Sequence, residues 1–142
     1  MDQVKVHLGK GYVTTATARN HTVHADLPAS SGGSDSEMTP EEMLLAALGS
    51  CMSQTAKLYA TRKGWALDGV DIELEVERFS AKDYEEYEGD ERFVHEIRER
   101  IVFHGDLDDE QRARLLEITG KCPVRRIIAT PTFFKDFEPQ PE

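Results

Sequence analysis

From Val70 to Glu77 apolar and acidic residues alternate without a fault, with Val70, Ile72, Leu74 and Val76 on one side and Asp71, Glu73, Glu75 and Glu77 on the other. A period of two with one apolar face is what a half-buried β-strand requires. Phe93, Ile97, Ile101 and Phe103 sit at even offsets and predict a return strand from about Phe93 to His104. The acidic stretch between them, Asp83 to Glu91, reads as a solvated hairpin loop; a lid over a site is the minority reading.

A different period runs through Thr39 to Gly64. Thr39, Pro40 and Glu42 satisfy a capping box with proline at the first helical position, and Glu41 and Glu42 place negative charge where the helix dipole favours it. Arg62 and Lys63 fill the last turn, and Gly64 can take the left-handed stop. The predicted helix spans Pro40 to Lys63 and is about 35 Å long at about 1.5 Å per residue. Leu44, Ala47, Leu48, Cys51, Thr55 and Leu58 form its expected inward stripe, with Cys51 in the middle. Ala46, Ala47, Gly49 and Ser50 make the flank before Cys51 small, which points to a close neighbour.

The remaining elements are shorter. Val4 to Leu8 and Tyr12 to Ala18 are β-prone runs around Gly9-Lys10-Gly11, and His21 to Ala25 follows the polar break at Arg19 and Asn20. Asp26 to Met38 has no periodicity and is expected to be a flexible loop. Trp65 to Gly69 reads as a turn. Asp108 with Gln111 caps a second helix that draws apolar contacts from Leu107, Leu115, Leu116 and Ile118 and ends at Gly120. Cys122-Pro123-Val124 starts a short helical turn, and Thr132 to Phe137 suggests a terminal strand. Strands joined by short loops cannot be parallel, so the fold class is α+β with mostly antiparallel sheet.

At 142 residues, 31% of them charged and 39% hydrophobic, the chain is expected to be one soluble domain, residues 1–142, that needs no disulfide staples. Its longest apolar run, Met43 to Leu48, is too short for a bilayer, and the N-terminus lacks a signal-peptide core, so the cytoplasm is the expected location. A net charge of -10 without a basic patch argues against nucleic acid. His21 and His24 face opposite sides of a strand, as do His95 and His104, so neither pair suits a metal.

That leaves two cysteines, Cys51 and Cys122, too few for a structural zinc site. Each is open to two readings, buried filler or redox chemistry. Cys122, before Pro123 at a helix start, also stands at an ordinary cap position.

Two segments carry a resemblance. T-P-E-E-M-L-L-A-A-L-G-S-C running into M-S-Q-T-A-K-L-Y-A-T-R-K-G-W-A-L-D-G-V, and later D-E-Q-R-A-R-L-L-E-I-T-G-K-C-P-V, closely resemble the OsmC-like family, which includes the osmotically inducible and organic hydroperoxide resistance proteins. The match covers roughly Thr39 to Arg126 well and the N-terminal strands loosely. The resemblance implies an intertwined homodimer with two long central helices packed between sheets. It also implies a thiol-dependent peroxidase that reduces organic hydroperoxides without metal, haem or other cofactor. By family position Cys51 looks like the peroxidatic cysteine, Cys122 like the resolving one and Glu41 like the active-site glutamate. The family's arginine comes from the N-terminal strands, where Arg19 is the one available, although A-R-N-H-T-V-H-A-D-L-P looks more like a less characterised branch.

Physical chemistry adds conditions to that implication. A free thiol near pKa 8.5 is mostly protonated at neutral pH, and Cys51 is too far along its helix for the dipole to help, so a cation such as Arg19 must come from elsewhere. Glu41 precedes Cys51 by ten residues, about 15 Å and a rotation of about 80°, so the two cannot meet within one chain. A shared site therefore requires a second copy, with antiparallel helices crossing near Ala46. In the expected reaction an external dithiol reduces the Cys51–Cys122 disulfide. Arg19 as a plain turn residue, Glu41 as a dipole partner, and a non-catalytic dimer binding a small apolar ligand at the helix interface are the competing readings.

Overall fold

The structure, a computed structural model, describes residues 1–137. Its order is β1 (Lys5–Leu8), β2 (Thr14–Ala18), β3 (His21–Ala25), α1 (Pro40–Lys63), β4 (Gly69–Ser80), β5 (Phe93–His104), α2 (Asp109–Thr119) and α3 (Pro123–Ala129). The α+β class with antiparallel sheets is as expected. The chain divides into two compact units, the first ending at Ala47 and the second beginning at Leu48, so the boundary falls inside α1.

In the first unit β1, β2 and β3 form an antiparallel meander, with Val6 opposite Ala16 and Ala16 opposite Val23. The β2–β3 turn holds Arg19 at a φ of 53°, a left-handed conformation that glycine or asparagine adopts more readily.

The segment after β3 is not the unstructured loop that its composition suggests. Asp26 is 1% exposed, and its carboxylate accepts hydrogen bonds from the backbone N–H groups of Leu27 (2.8 Å), Ser34 (3.1 Å) and Ser36 (3.1 Å) and from the Ser36 hydroxyl (2.8 Å). A turn of 3-10 helix, Ala29–Ser31, sits inside the loop. Glycine is required at Gly33, where a Cβ would come 2.1 Å from the Leu27 carbonyl oxygen. Periodicity is blind to this segment because hydrogen bonds to a single carboxylate order it, not a repeating apolar face.

The capping box of α1 forms as predicted: the Thr39 N–H donates to Glu42 Oε2 at 3.0 Å and the Glu42 N–H to Thr39 Oγ1 at 3.3 Å. Gly64 takes a φ of 69° and stops the helix. Its buried line differs from the expected stripe. Leu48, Met52, Ala56 and Ala60 are buried, whereas Leu44 and Leu58 are 49% and 58% exposed, and Cys51 lies half-buried at the border. Apolar residues occupy more than one side of α1, so a helical period alone could not choose between the faces.

In the second unit β4 and β5 form a long hairpin, with Val70 opposite Phe103, Ile72 opposite Ile101, Leu74 opposite Glu99 and Val76 opposite Ile97. Ile72, Leu74, Ile97 and Ile101 from this face pack against Leu48 and Met52, and Val70, Ile101 and Phe103 close a second cluster with Ala56, Ala60, Leu67 and Leu115. Gly49 has its close neighbour here: a Cβ would lie 3.3 Å from Leu74 Cδ1. Its small size thus has a reason within the chain. The opposite face carries ion pairs, Glu73 to Arg100 at 2.8 Å and Glu75 to Arg98 at 3.0 Å, each contributing about 0–1 kcal/mol when solvated.

The capping box of α2 also forms, and Leu115 and Ile118 are buried, but Leu116 is 53% exposed. The Arg112 guanidinium donates to the carbonyls of Phe103, Gly105 and Leu107 and so ties the β5–α2 turn to its helix. The terminal strand expected over Thr132 to Phe137 is absent, and Phe133, Phe134 and Phe137 are exposed. A strand exists only where another backbone accepts its hydrogen bonds, and none is paired with this segment. Among the described residues, no helix is long and apolar enough to cross a membrane.

The N–H groups of Ser36 and Leu27 hold the Asp26 carboxyl below its ordinary value. Its stabilising contribution is complete above the unfolded pKa of about 3.9 and disappears as pH falls through the lower folded value. Asp26→Asn is expected to lower the urea midpoint at neutral pH, and the gap to the parent protein should close below about pH 3.9. Equal gaps at pH 7 and pH 2.5 would refute this role.

Candidate active site

Cys51 projects from the middle of α1, far from either end of that helix. Cys122 arrives from the other end of the unit, as the N-cap of α3. Its backbone is extended (φ −65°, ψ 144°), and its Sγ accepts the Arg125 N–H at 3.3 Å. Pro123 at the first helical position enforces that start, since it needs no N–H there and presets φ.

The two thiols belong to one cluster. Cys122, fully buried, packs with Leu48 and Met52, and Cys51, Ile72, Leu74, Ile97, Ile101 and Val124 surround them. Both cysteines are free. Burial pushes the Cys122 thiol above its ordinary value; the Arg125 N–H opposes the shift, the neighbouring Cys51 thiol adds to it, and the positive charge of Arg125 works against it. Cys51 is the more accessible sulfur, and burial keeps Cys122 protonated.

The other two expected site residues lie in the first unit. Arg19 sits at the tip of the β2–β3 hairpin, with an exposed side chain 3.9 Å from the Asp2 carboxylate. Glu41 is exposed in the first turn of α1. The geometry thus brings together Cys51 and Cys122, while Arg19 and Glu41 stand in a separate compact unit.

The family model described as OsmC-like protein matches residues 33–135, which include both cysteines and all of α1 through α3. The chain belongs to this family. Solved structures agree in fold: an OsmC-like protein from Mycoplasma pneumoniae at a TM-score of 0.71, 18% identity, over 91% of this chain and 87% of that one. An organic hydroperoxide resistance protein from Legionella pneumophila is similar at a TM-score of 0.64, 18% identity, over 90% and 88%. The organic hydroperoxide resistance protein OhrB of Bacillus subtilis is similar at 0.59, 19% identity, over 87% and 88%. No curated protein matches the chain in sequence.

Sequence reasoning missed the charged pair beside the thiols of this OsmC-like chain. Arg125 Nη1 donates to Glu99 Oε2 at 2.7 Å, and both residues line a cleft of about 250 Å³ with Leu48, His95, Ile97, Ile128 and Ala129. A signal existed: Glu99 occupies an apolar-face position of β5, between Ile97 and Ile101. Among the described residues, no cluster of three His, Cys, Asp or Glu side chains is arranged to hold a metal ion.

The difference in exposure has a direct readout. At neutral pH, iodoacetamide should label Cys51 faster than Cys122 in the folded protein, because burial both shields the Cys122 sulfur and keeps its thiol protonated. In urea the two rates should converge. Equal labelling of both in the folded state, followed by peptide mass spectrometry, would contradict the burial order.

Proposed function

We propose that this OsmC-like protein is a thiol-dependent peroxidase that reduces organic hydroperoxides. The observation that carries the reading is the pairing of a half-buried thiol, Cys51, with a fully buried one, Cys122, in a single cluster. The organic hydroperoxide resistance proteins of Legionella pneumophila and Bacillus subtilis share the fold and lend it further support.

In the first step the Cys51 thiolate attacks the distal peroxide oxygen. The O–O bond breaks, an S–O bond forms, and the departing alkoxide takes a proton to leave as alcohol. In the second, the Cys122 thiolate attacks the Cys51 sulfur, expelling hydroxide and closing a disulfide. An external dithiol then returns both sulfurs to thiols by exchange. Two electrons reach the peroxide in each turnover, and the dithiol replaces them.

Arg19 is assigned to hold the peroxide and Glu41 of a second copy to orient that arginine through a charge-assisted hydrogen bond. Two features support a homodimer: Leu44 and Leu58 leave an apolar strip of α1 exposed, and Ala46 and Ala47 keep the exposed surface beside Leu44 low.

Cys51→Ser should abolish consumption of cumene hydroperoxide in the presence of a dithiol, a loss of at least about 10²-fold of the kind seen when a nucleophile is removed, while dimerisation persists by light scattering. Cys122→Ser should still consume about one equivalent of peroxide per chain before stalling without added thiol. Unchanged rates in Cys51→Ser, or none in the parent protein, would favour a non-catalytic dimer that binds a small apolar ligand.

The apolar strip gives a separate measurement. Leu58→Glu should shift the assembly toward monomer by sedimentation and reduce peroxidase activity with it, because a buried unpaired charge at a helix interface costs several kcal/mol. An unchanged sedimentation profile would remove Leu58 from the interface.

A further inference from the structure

Glu99 is out of place for a strand of its kind. It stands opposite Leu74 on the face of β5 that also presents Ile97 and Ile101 to the cysteine cluster, and its side chain is only 29% exposed. A carboxylate so placed needs a partner, and it has one in Arg125 at 2.7 Å. Arg125 acts twice. Its side chain is fastened to β5, and its backbone N–H donates to Cys122 Sγ at 3.3 Å. One residue thereby connects the buried sulfur to a strand, and the charge of its guanidinium opposes the upward shift that burial imposes on the thiol.

We propose that Arg125, held by Glu99, is the positioning residue of the resolving thiol: it fixes Cys122 Sγ beside Cys51 and supplies the positive charge that the Cys122 thiolate requires. The inference rests on the peroxidase reading and assigns the second step within it. In that step the Cys122 proton leaves to solvent, the Cys122 sulfur attacks Cys51, the S–O bond of the sulfenic acid breaks, and hydroxide departs. The hydroperoxide of the first step is the only oxidant consumed. A thiol held in hydrocarbon ionises reluctantly, so a fixed guanidinium at its side lowers the barrier to this step without touching the peroxide.

The charged and titratable groups that act on Cys122 are Cys51 on α1 and Arg125 on α3; Glu99 and His95 of β5 line the same cleft as Arg125, and Lys121, just before Cys122, is paired with Glu117. Simple charge counting and positioning make opposite forecasts for Glu99. Removing a carboxylate should ease thiolate formation if only net charge matters. It should hinder it if Glu99 works by holding Arg125 in place.

The test uses the full chain in a Cys51→Ser background, where Cys122 alkylation by iodoacetamide is followed against pH. Arg125→Gln should move the profile to higher pH by about one unit, a tenfold lower rate at neutral pH, Arg125→Lys should restore part of it, and Glu99→Gln should also move it upward. An unmoved profile in Arg125→Gln, or a downward shift in Glu99→Gln, overturns the proposal. With Cys51 present, one equivalent of cumene hydroperoxide and dimedone should leave about tenfold more sulfenic adduct in Arg125→Gln than in the parent, with the same rate of Cys51 thiol loss. If the parent protein consumes no peroxide, the peroxidase reading fails by itself, while the alkylation profile still decides the role of Arg125.

Discussion

The second unit depends on one packing contact, the line Leu48, Met52, Ala56 and Ala60 of α1 against the apolar face of the β4–β5 hairpin. Burying apolar surface contributes about 25 cal/mol per Å², and both clusters of the unit draw on the same two surfaces. Gly49 eases the approach of the helix, since a Cβ there would lie 3.3 Å from Leu74 Cδ1. Helix α2 completes the cluster through Leu115, and Arg112 secures its turn by donating to three carbonyls.

That contact also sets the chemistry available to the sulfurs. Cys51 lies one position from the buried line and therefore at its edge, while Cys122 is carried into the cluster by the cap of α3. One scaffold thus gives two identical functional groups different surroundings. The half-buried thiol is open to reagents in solution, and burial keeps the other protonated. Fixed charge at the cluster margin comes from the Arg125–Glu99 pair, which neither cysteine motif announces.

Much apolar surface is left without a partner in the single chain. Leu44 and Leu58 on α1, Val6 and Val23 on the three-stranded sheet, and Phe133, Phe134 and Phe137 after α3 are all exposed. Patches of this kind mark interaction surfaces, and a second copy of the chain is the occupant that the proposed function calls for. Thr132 to Phe137 forms no strand despite a β-prone composition because its backbone has no paired neighbour.

By itself, the sequence determined the elements whose signals are local. The ends of α1 follow from Thr39, Glu42 and Gly64, the cap of α2 from Asp108 and Gln111, and the β4 strand from its alternation, because capping and pleating act between near neighbours. The two cysteines were legible as site candidates only through the family resemblance that their motifs carry. Tertiary structure decided which side of α1 is buried, since several sides are apolar and only the hairpin selects among them. It turned Asp26 to Met38 from an expected flexible loop into one organised by one carboxylate, and it joined Cys122 to Cys51 and Glu99 to Arg125. Those pairings link residues far apart in the chain, and their energies depend on burial, which no local pattern encodes.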